Sequence, residues 1–151
     1  MGGTGSESRN QQMPDFLPDR AEAGTLNVPG IAGLEAGIRW IRREGIGKIA
    51  KRESAAAQNA AEALQRMGIK VFSGLHQTGT VSFVPNCDCE EAAQQLAKQG
   101  IAVRAGLHCA PTAHESAGTL DTGTVRVSFG HDVTPAQIRG LLRGVSKLLT
   151  R

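Results

Sequence analysis

Between Gly100 and Gly118 the chain reads GIAVRAGLHCAPTAHESAG. Arg104, His108, Cys109 and His114 all fall inside that stretch. An apolar alternation, Ile101 and Val103, runs into a Gly/Pro-bounded loop, the pattern of a strand that ends in a functional loop. The chemistry such a set can perform is nucleophilic attack by sulfur. A thiolate is the reactive form of cysteine, and positive charge nearby favours it. His108 is adjacent to Cys109, and Arg104 precedes it by five residues. The same residues also read as a strand followed by a buried, inert cysteine. Taken alone, the stretch leaves both readings open.

Several elements must position this loop. Asn27 caps a helix that begins near Pro29, with Ile31, Leu34, Ile38 and Ile41 at helical spacing. Gly33 and Gly37, four apart, share one side of that helix and predict a closely packed partner. A second helix spans about 46–67 and stops at Gly68, with Ile49, Ala57, Ala61 and Leu64 as its apolar stripe. Two strands follow, 69–72 and 80–84, joined through SGLHQTG. His76 in that connection reads as a surface loop residue. Asp88 with Glu91 forms a capping box for a helix to about Gln99. Strands are expected at 101–104 and 124–129. In the second, alternation sets Arg126 on the face opposite Val125, Val127 and Phe129. Thr134, Pro135 and Gln137 start a final helix whose apolar face includes Ile138, Leu141, Leu142, Val145 and Leu148. From about residue 46 the order is α-β-β-α-β-β-α. It predicts an α+β domain: a four-stranded antiparallel or mixed sheet with helices on one face.

The totals bound the reading. The chain has 151 residues, enough for one domain and part of another. Forty per cent of residues are hydrophobic, but the aromatics are only four Phe and one Trp, so the core rests on Ile, Leu, Val and Ala. Net charge is +3, with basic residues scattered and no aromatics interleaved among them. That pattern speaks for solvated helix faces and against a nucleic-acid interface. No run reaches transmembrane length, and the first residues lack the apolar core of a secretory signal. Three cysteines, an odd count, fit free thiols in a reducing, cytoplasmic setting. Residues 1–29 are rich in Gly and Pro and poor in apolar side chains, so they nucleate no core. The turn GGTGS (2–6) has backbone N–H groups that could cradle an anion.

Four segments carry a resemblance: GGTGS (2–6), MPDFLPDRAEAGTLNVPGIAGLEAG (13–37), GIAVRAGLHCAPTAH (100–114) and GTVRVSFGHDVTPAQI (123–138). In this order and spacing the chain resembles the C-terminal part of cysteine desulfurases, class V aminotransferase-like enzymes that use pyridoxal phosphate. The branch with RAGLHCAP around the cysteine is the most similar. The resemblance implies the small C-terminal domain of a fold-type I (aspartate aminotransferase-like) enzyme. It divides the chain into loops of the large cofactor-binding domain (1–29), a connecting helix (30–45) and the small domain (46–151).

For function, the resemblance implies that Cys109 takes sulfur from L-cysteine, leaving alanine and a Cys109 persulfide. Arg126 would bind the substrate carboxylate, a task suited to a guanidinium fork, and Arg104 would line the same pocket. Gly24 and Thr25 would reach the cofactor phosphate of the other subunit in a homodimer. Leu26 stands where many relatives have proline. His108 and His114 would aid proton transfer or serve as structural loop residues. A sulfur-acceptor protein, such as an iron–sulfur scaffold, would be the partner. The resemblance does not reach the larger region that carries the cofactor's Schiff-base lysine. None of Lys48, Lys51, Lys70, Lys98 and Lys147 has a matching context, so the isolated chain is expected to be inactive.

Rival readings remain at this stage. Cys87, Cys89, His108, Cys109 and His114 offer metal donors, but Cys87-Asp88-Cys89 is one residue short of the usual CxxC zinc spacing, and no metal is expected. A non-catalytic module that binds a partner or accepts sulfur through Cys109 is a second rival. Another class V enzyme, a selenocysteine lyase or a transaminase, is a third, although the cysteine of HCAP favours desulfuration over transamination.

Overall fold

The computed structural model describes residues 7, 9–10, 12–22 and 24–149. The GGTGS turn lies outside them. The chain divides into two compact units, Met1–Gly45 and Ile46–Arg151.

In the first unit a short 3-10 turn at Asp19–Ala21 precedes helix α1, Val28–Glu44. The Asn27 side chain accepts a hydrogen bond from the Gly30 N–H at 3.1 Å, satisfying one of the unpaired donors of the first turn. Pro29 in that turn lacks an N–H that would otherwise need a partner. The stripe at Ile31, Leu34, Ile38 and Ile41 is 41–64% exposed. Within this unit no atom stands within 4 Å of where a Cβ would sit at Gly33 or Gly37. The close partner that these glycines predict is therefore not found inside the unit.

The second unit holds α2 (Ile46–Arg66), β1 (Lys70–Phe72), β2 (Thr80–Val84), α3 (Cys89–Ala97), β3 (Arg104–Gly106), α4 (Pro111–Ala117), β4 (Thr124–Ser128) and α5 (Pro135–Leu149). The strands form one sheet in the order β1-β2-β4-β3, with every pairing antiparallel. The expected α+β class is therefore what the chain adopts, and the sheet is antiparallel throughout. Helices α2, α3 and α5 pack on one face. Between them and the sheet lies a core of Leu64, Val81, Phe83, Leu96, Val125 and Val145, all fully buried.

The local signals explain these elements. Asp88 accepts from the N–H groups of Glu90 and Glu91, each at 3.0 Å, and starts α3. Thr134 and Gln137 bond reciprocally at the start of α5, the arrangement of a capping box. A Cβ at Gly144 would stand 2.5 Å from Ile101 Cδ1 and 3.0 Å from Leu96 Cδ2, so glycine lets α5 approach α3 closely.

Two expectations need correction. The strand expected at 101–104 begins only at Arg104 and runs to Gly106. Ile101 and Val103 pack against the core, which explains their strand-like alternation, but ladder pairing with β4 covers only Arg104, Ala105 and Gly106. The loop after it contains a helix, α4, that periodicity did not reveal. Among the described residues, no helix is long and apolar enough to cross a membrane.

Candidate functional site

The site is built on the sheet face turned away from α2, α3 and α5. In β4, Val125 and Val127 enter the core, so Thr124, Arg126 and Ser128 occupy the other face. Register extends that face across the sheet. Ser82 of β2 stands opposite Arg126, Phe72 of β1 opposite Ser82, and Arg104 of β3 opposite Arg126 on the other side. Two arginines thus face each other across one antiparallel pair. Like charges at such positions are destabilising. Among the described residues neither has a carboxylate within ion-pair distance. Arg126 is half-buried, and its Nε is buried with no hydrogen-bond partner. A guanidinium nitrogen held out of water without a partner carries an uncompensated desolvation cost.

Cys109 hangs beside this pair. After β3 the chain makes a turn from Leu107 to Ala110, closed by the Ala110 N–H donating to the Leu107 carbonyl at 2.9 Å. His108 and Cys109 both have positive φ, 54° and 60°. That is the φ signature of a type I′ turn, which glycine, asparagine and aspartate usually supply. For residues with a Cβ, the left-handed region costs roughly 1–2 kcal/mol each, so neighbouring contacts must hold the turn. The Cys109 sulfur is exposed, and Arg104 Nη2 donates towards Sγ at 3.5 Å.

The two histidines are fixed by two threonines. His108 Nε2 lies 3.0 Å from Thr124 Oγ1. His114 Nδ1 lies 2.8 Å from Thr119 Oγ1 and 3.3 Å from the Thr119 carbonyl. The rings are tilted, with centroids 5.7 Å apart. His114 is only 7% exposed and is the one buried side chain of α4. Burial, then the electrostatic influence of Arg126, His114 and Arg104, holds the His108 imidazole below its usual pKa, while a backbone contact with Thr124 opposes them. Among the described residues, neither ring is hydrogen-bonded to Cys109 Sγ, whose one such partner is Arg104. A cavity of about 220 Å³ opens beside His114, lined also by Phe72, Ser82, Ala113, Ala117, Thr119 and Thr124.

Of the residues read from the sequence, Arg104, His108, Cys109, His114 and Arg126 are thus brought to one region. Gly24 and Thr25 belong to the first unit, in the bend before α1, where Gly24 has a φ of 78°. Cys87 is half-buried and Cys89 buried, both as free thiols. Burial, then Glu91 and Asp88, push the Cys87 thiol up. Among the described residues, no three metal-binding side chains converge. Sequence reasoning missed Thr119, Thr124 and Ser82. Alternation alone could have set Thr124 on the face of Arg126.

The aminotransferase class-V family model matches residues 2–141. The chain belongs to the aminotransferase class-V family. A probable cysteine desulfurase of Pyrococcus abyssi is 39% identical over 69 residues, which cover 44% of this chain and 17% of that protein. A probable cysteine desulfurase of Xylella fastidiosa is 36% identical over a segment of the same length and coverage. Among solved structures, the apo cysteine desulfurase of Thermococcus onnurineus NA1 superposes with a TM-score of 0.79 at 34% identity, covering 88% of this chain and 34% of that one. The cysteine desulfurase CsdA of Escherichia coli gives 0.78 at 30% identity, covering 88% and 33%. This chain therefore spans about a third of the solved cysteine desulfurases that it matches.

The family implies pyridoxal phosphate, and the residues described here fit it only in part. Arg126 has a buried Nε without a hydrogen-bond partner among the described residues, a donor able to meet an anion. Four of the five lysines lie away from this face. Lys48, Lys51 and Lys147 stand on α2 and α5, and Lys98 caps α3. All three helices cover the core face of the sheet. Lys70 shares the site face with Phe72, where its Nζ donates to the Ala117 carbonyl at 3.4 Å and lies over the Phe72 ring. The described residues do not form a complete pyridoxal phosphate site.

Proposed function

We propose that this chain is the C-terminal, sulfur-accepting portion of a cysteine desulfurase and is inactive by itself. In this reading residues 46–151 form the small domain, 30–45 the connecting helix, and 1–29 loops of the large domain. The observation that carries the proposal is the exposed Cys109 sulfur on a constrained turn, with Arg104 beside it and the unpaired Arg126 opposite Arg104 in the sheet. Pyridoxal phosphate, when bound by the complete protein, supplies the electron sink that weakens the carbon–sulfur bond of L-cysteine. Arg126 binds the substrate carboxylate and so orients the sulfur, and Arg104 places a cation beside the attacking thiolate. Cys109 Sγ forms a bond to the substrate sulfur as the substrate's carbon–sulfur bond breaks. The three-carbon product, once protonated, is alanine, and the sulfur stays on Cys109 as a persulfide. His108 and His114 are the candidates for moving the proton.

Further parts of the proposal rest on the family alone. They are a homodimer in which Gly24 and Thr25 reach the cofactor phosphate of the other subunit, a cytoplasmic setting, and a sulfur-acceptor protein such as an iron–sulfur scaffold.

The lysine placement favours one other reading, a non-catalytic module whose Cys109 is loaded with sulfur by another protein. One experiment separates the two. The chain alone is expected to release no sulfide from L-cysteine with pyridoxal phosphate. Fused behind the non-matching part of the Thermococcus onnurineus enzyme it should do so, and Cys109→Ala in the fusion should abolish release. A fusion that turns over equally well with Cys109→Ala overturns the proposal. A dead fusion whose Cys109 is still persulfidated by a separate persulfide donor supports the module.

A further inference from the structure

We infer that Thr124 and His108 act as a pair of positioning residues that hold the Cys109 turn in its left-handed pose. The inference rests on Cys109 being the reactive sulfur and assigns its support to residues outside the Cys109–Arg104–Arg126 group. Thr124 is 2% exposed and fixed in β4, opposite Gly106 of β3. Its hydroxyl meets His108 Nε2 at 3.0 Å. His108 is the residue before Cys109 and shares its positive φ. A bond that pins the His108 ring to β4 therefore resists rotation of the Leu107–Ala110 turn about either residue. With the turn pinned, Cys109 Sγ stays within reach of Arg104 Nη2.

The surroundings of His108 suit it to orientation. One ring nitrogen is taken by Thr124, and the other, Nδ1, is buried without a partner among the described residues. The charged groups facing the ring are all cationic or basic: Arg104 from β3, Arg126 from β4 and His114 from α4. With burial as the larger cause, they hold the imidazole below its usual pKa, which favours the neutral ring that can share a hydrogen bond with a hydroxyl. Gly123, just before Thr124, fixes the anchor's place. A Cβ there would stand 3.1 Å from Gly106 Cα and 3.0 Å from Cys89 Sγ, and the φ of 63° is left-handed, so glycine eases the close start of β4 beside β3.

The test is the rate at which iodoacetamide alkylates Cys109 in the full chain, read at that residue by peptide mass spectrometry. Thr124→Val keeps the shape and removes the hydroxyl. It should slow alkylation about fivefold, the factor for one lost hydrogen bond, and Thr124→Ser should restore the rate. A folded Thr124→Val chain that alkylates at the original rate overturns the inference, as does a slow Thr124→Ser chain. Should Thr124→Val fail to fold, His108→Phe gives the same readout, because phenylalanine keeps the ring but has no nitrogen to meet Thr124 and no added preference for the left-handed turn. Slowing then supports the anchor, and an unchanged rate overturns it. If Cys109 of the unaltered chain reacts no faster folded than in denaturant, the reactive-sulfur reading has failed and the inference falls with it.

Discussion

The two faces of β4 come from alternate residues of one strand, and they are satisfied to very different degrees. Val125 and Val127 sit in an apolar layer with Phe83, Leu64 and Leu96, where every contact lowers the free energy of the fold. Thr124 and Arg126 look the other way. There, two guanidiniums are paired by register, a buried Nε and a buried imidazole nitrogen have no partner among the described residues, and two non-glycine residues hold positive φ. Groups arranged at such a cost gather at functional sites, where strain and unpaired charge belong to the chemistry. The contrast teaches that stability here comes from one face of the sheet, while the other face keeps polar groups that the described residues leave unpaired.

Substitutions can break or sharpen that contrast. The largest effect is expected on the core face. Phe83→Ala should cost about 3–5 kcal/mol, enough to remove most cooperative unfolding in a urea titration. On the other face Arg126→Met should leave stability unchanged or raise it by about 0.5–1 kcal/mol, because it removes a like-charge neighbour. In the fusion with the remaining part of a desulfurase, the same change should abolish sulfide release. A clear loss of urea resistance in Arg126→Met would show that the arginine contributes to the fold.

The histidine offers a pH test. The folded pKa of His108 lies below the unfolded value of about 6.5, so between the two the unfolded chain binds more protons. Stability should therefore fall as pH drops from about 6.5 through the folded value, and His108→Asn should remove that part of the slope. Urea midpoints measured across that range check it. The smallest effect is expected at Cys109. Cys109→Ser should change stability by less than about 0.5 kcal/mol, because the side chain is exposed. A larger loss would mean that the sulfur is structural.

How much of this was legible in the sequence depends on what each pattern reports. β2, β4 and the cap of α5 could be read because alternation and a Thr-Pro-x-Gln start are local signals. β3 was displaced because alternation reports burial, and Ile101 and Val103 are packed into the core without being paired. α4 was invisible: in seven residues its only buried side chain is a histidine. Arg104, Cys109 and Arg126 were legible as candidates through the motifs that surround them. Their juxtaposition depends on antiparallel register, which no single segment encodes. The same holds for the two threonines, whose role exists only once β4 lies beside the turn. The stripe of α1 was legible as well, and the chain was silent about what covers it.

The backbone of the Leu107–Ala110 turn sets how the sulfur can travel. A cysteine on a slack loop sweeps through a continuum of positions. Cys109 is instead carried between a strand and a helix by two residues in a conformation that L-amino acids seldom adopt. Relaxing either φ to its usual negative value reverses the direction in which the side chain leaves the backbone. The Cys109 side chain would therefore move in a step between discrete orientations, more like a latch than a tether.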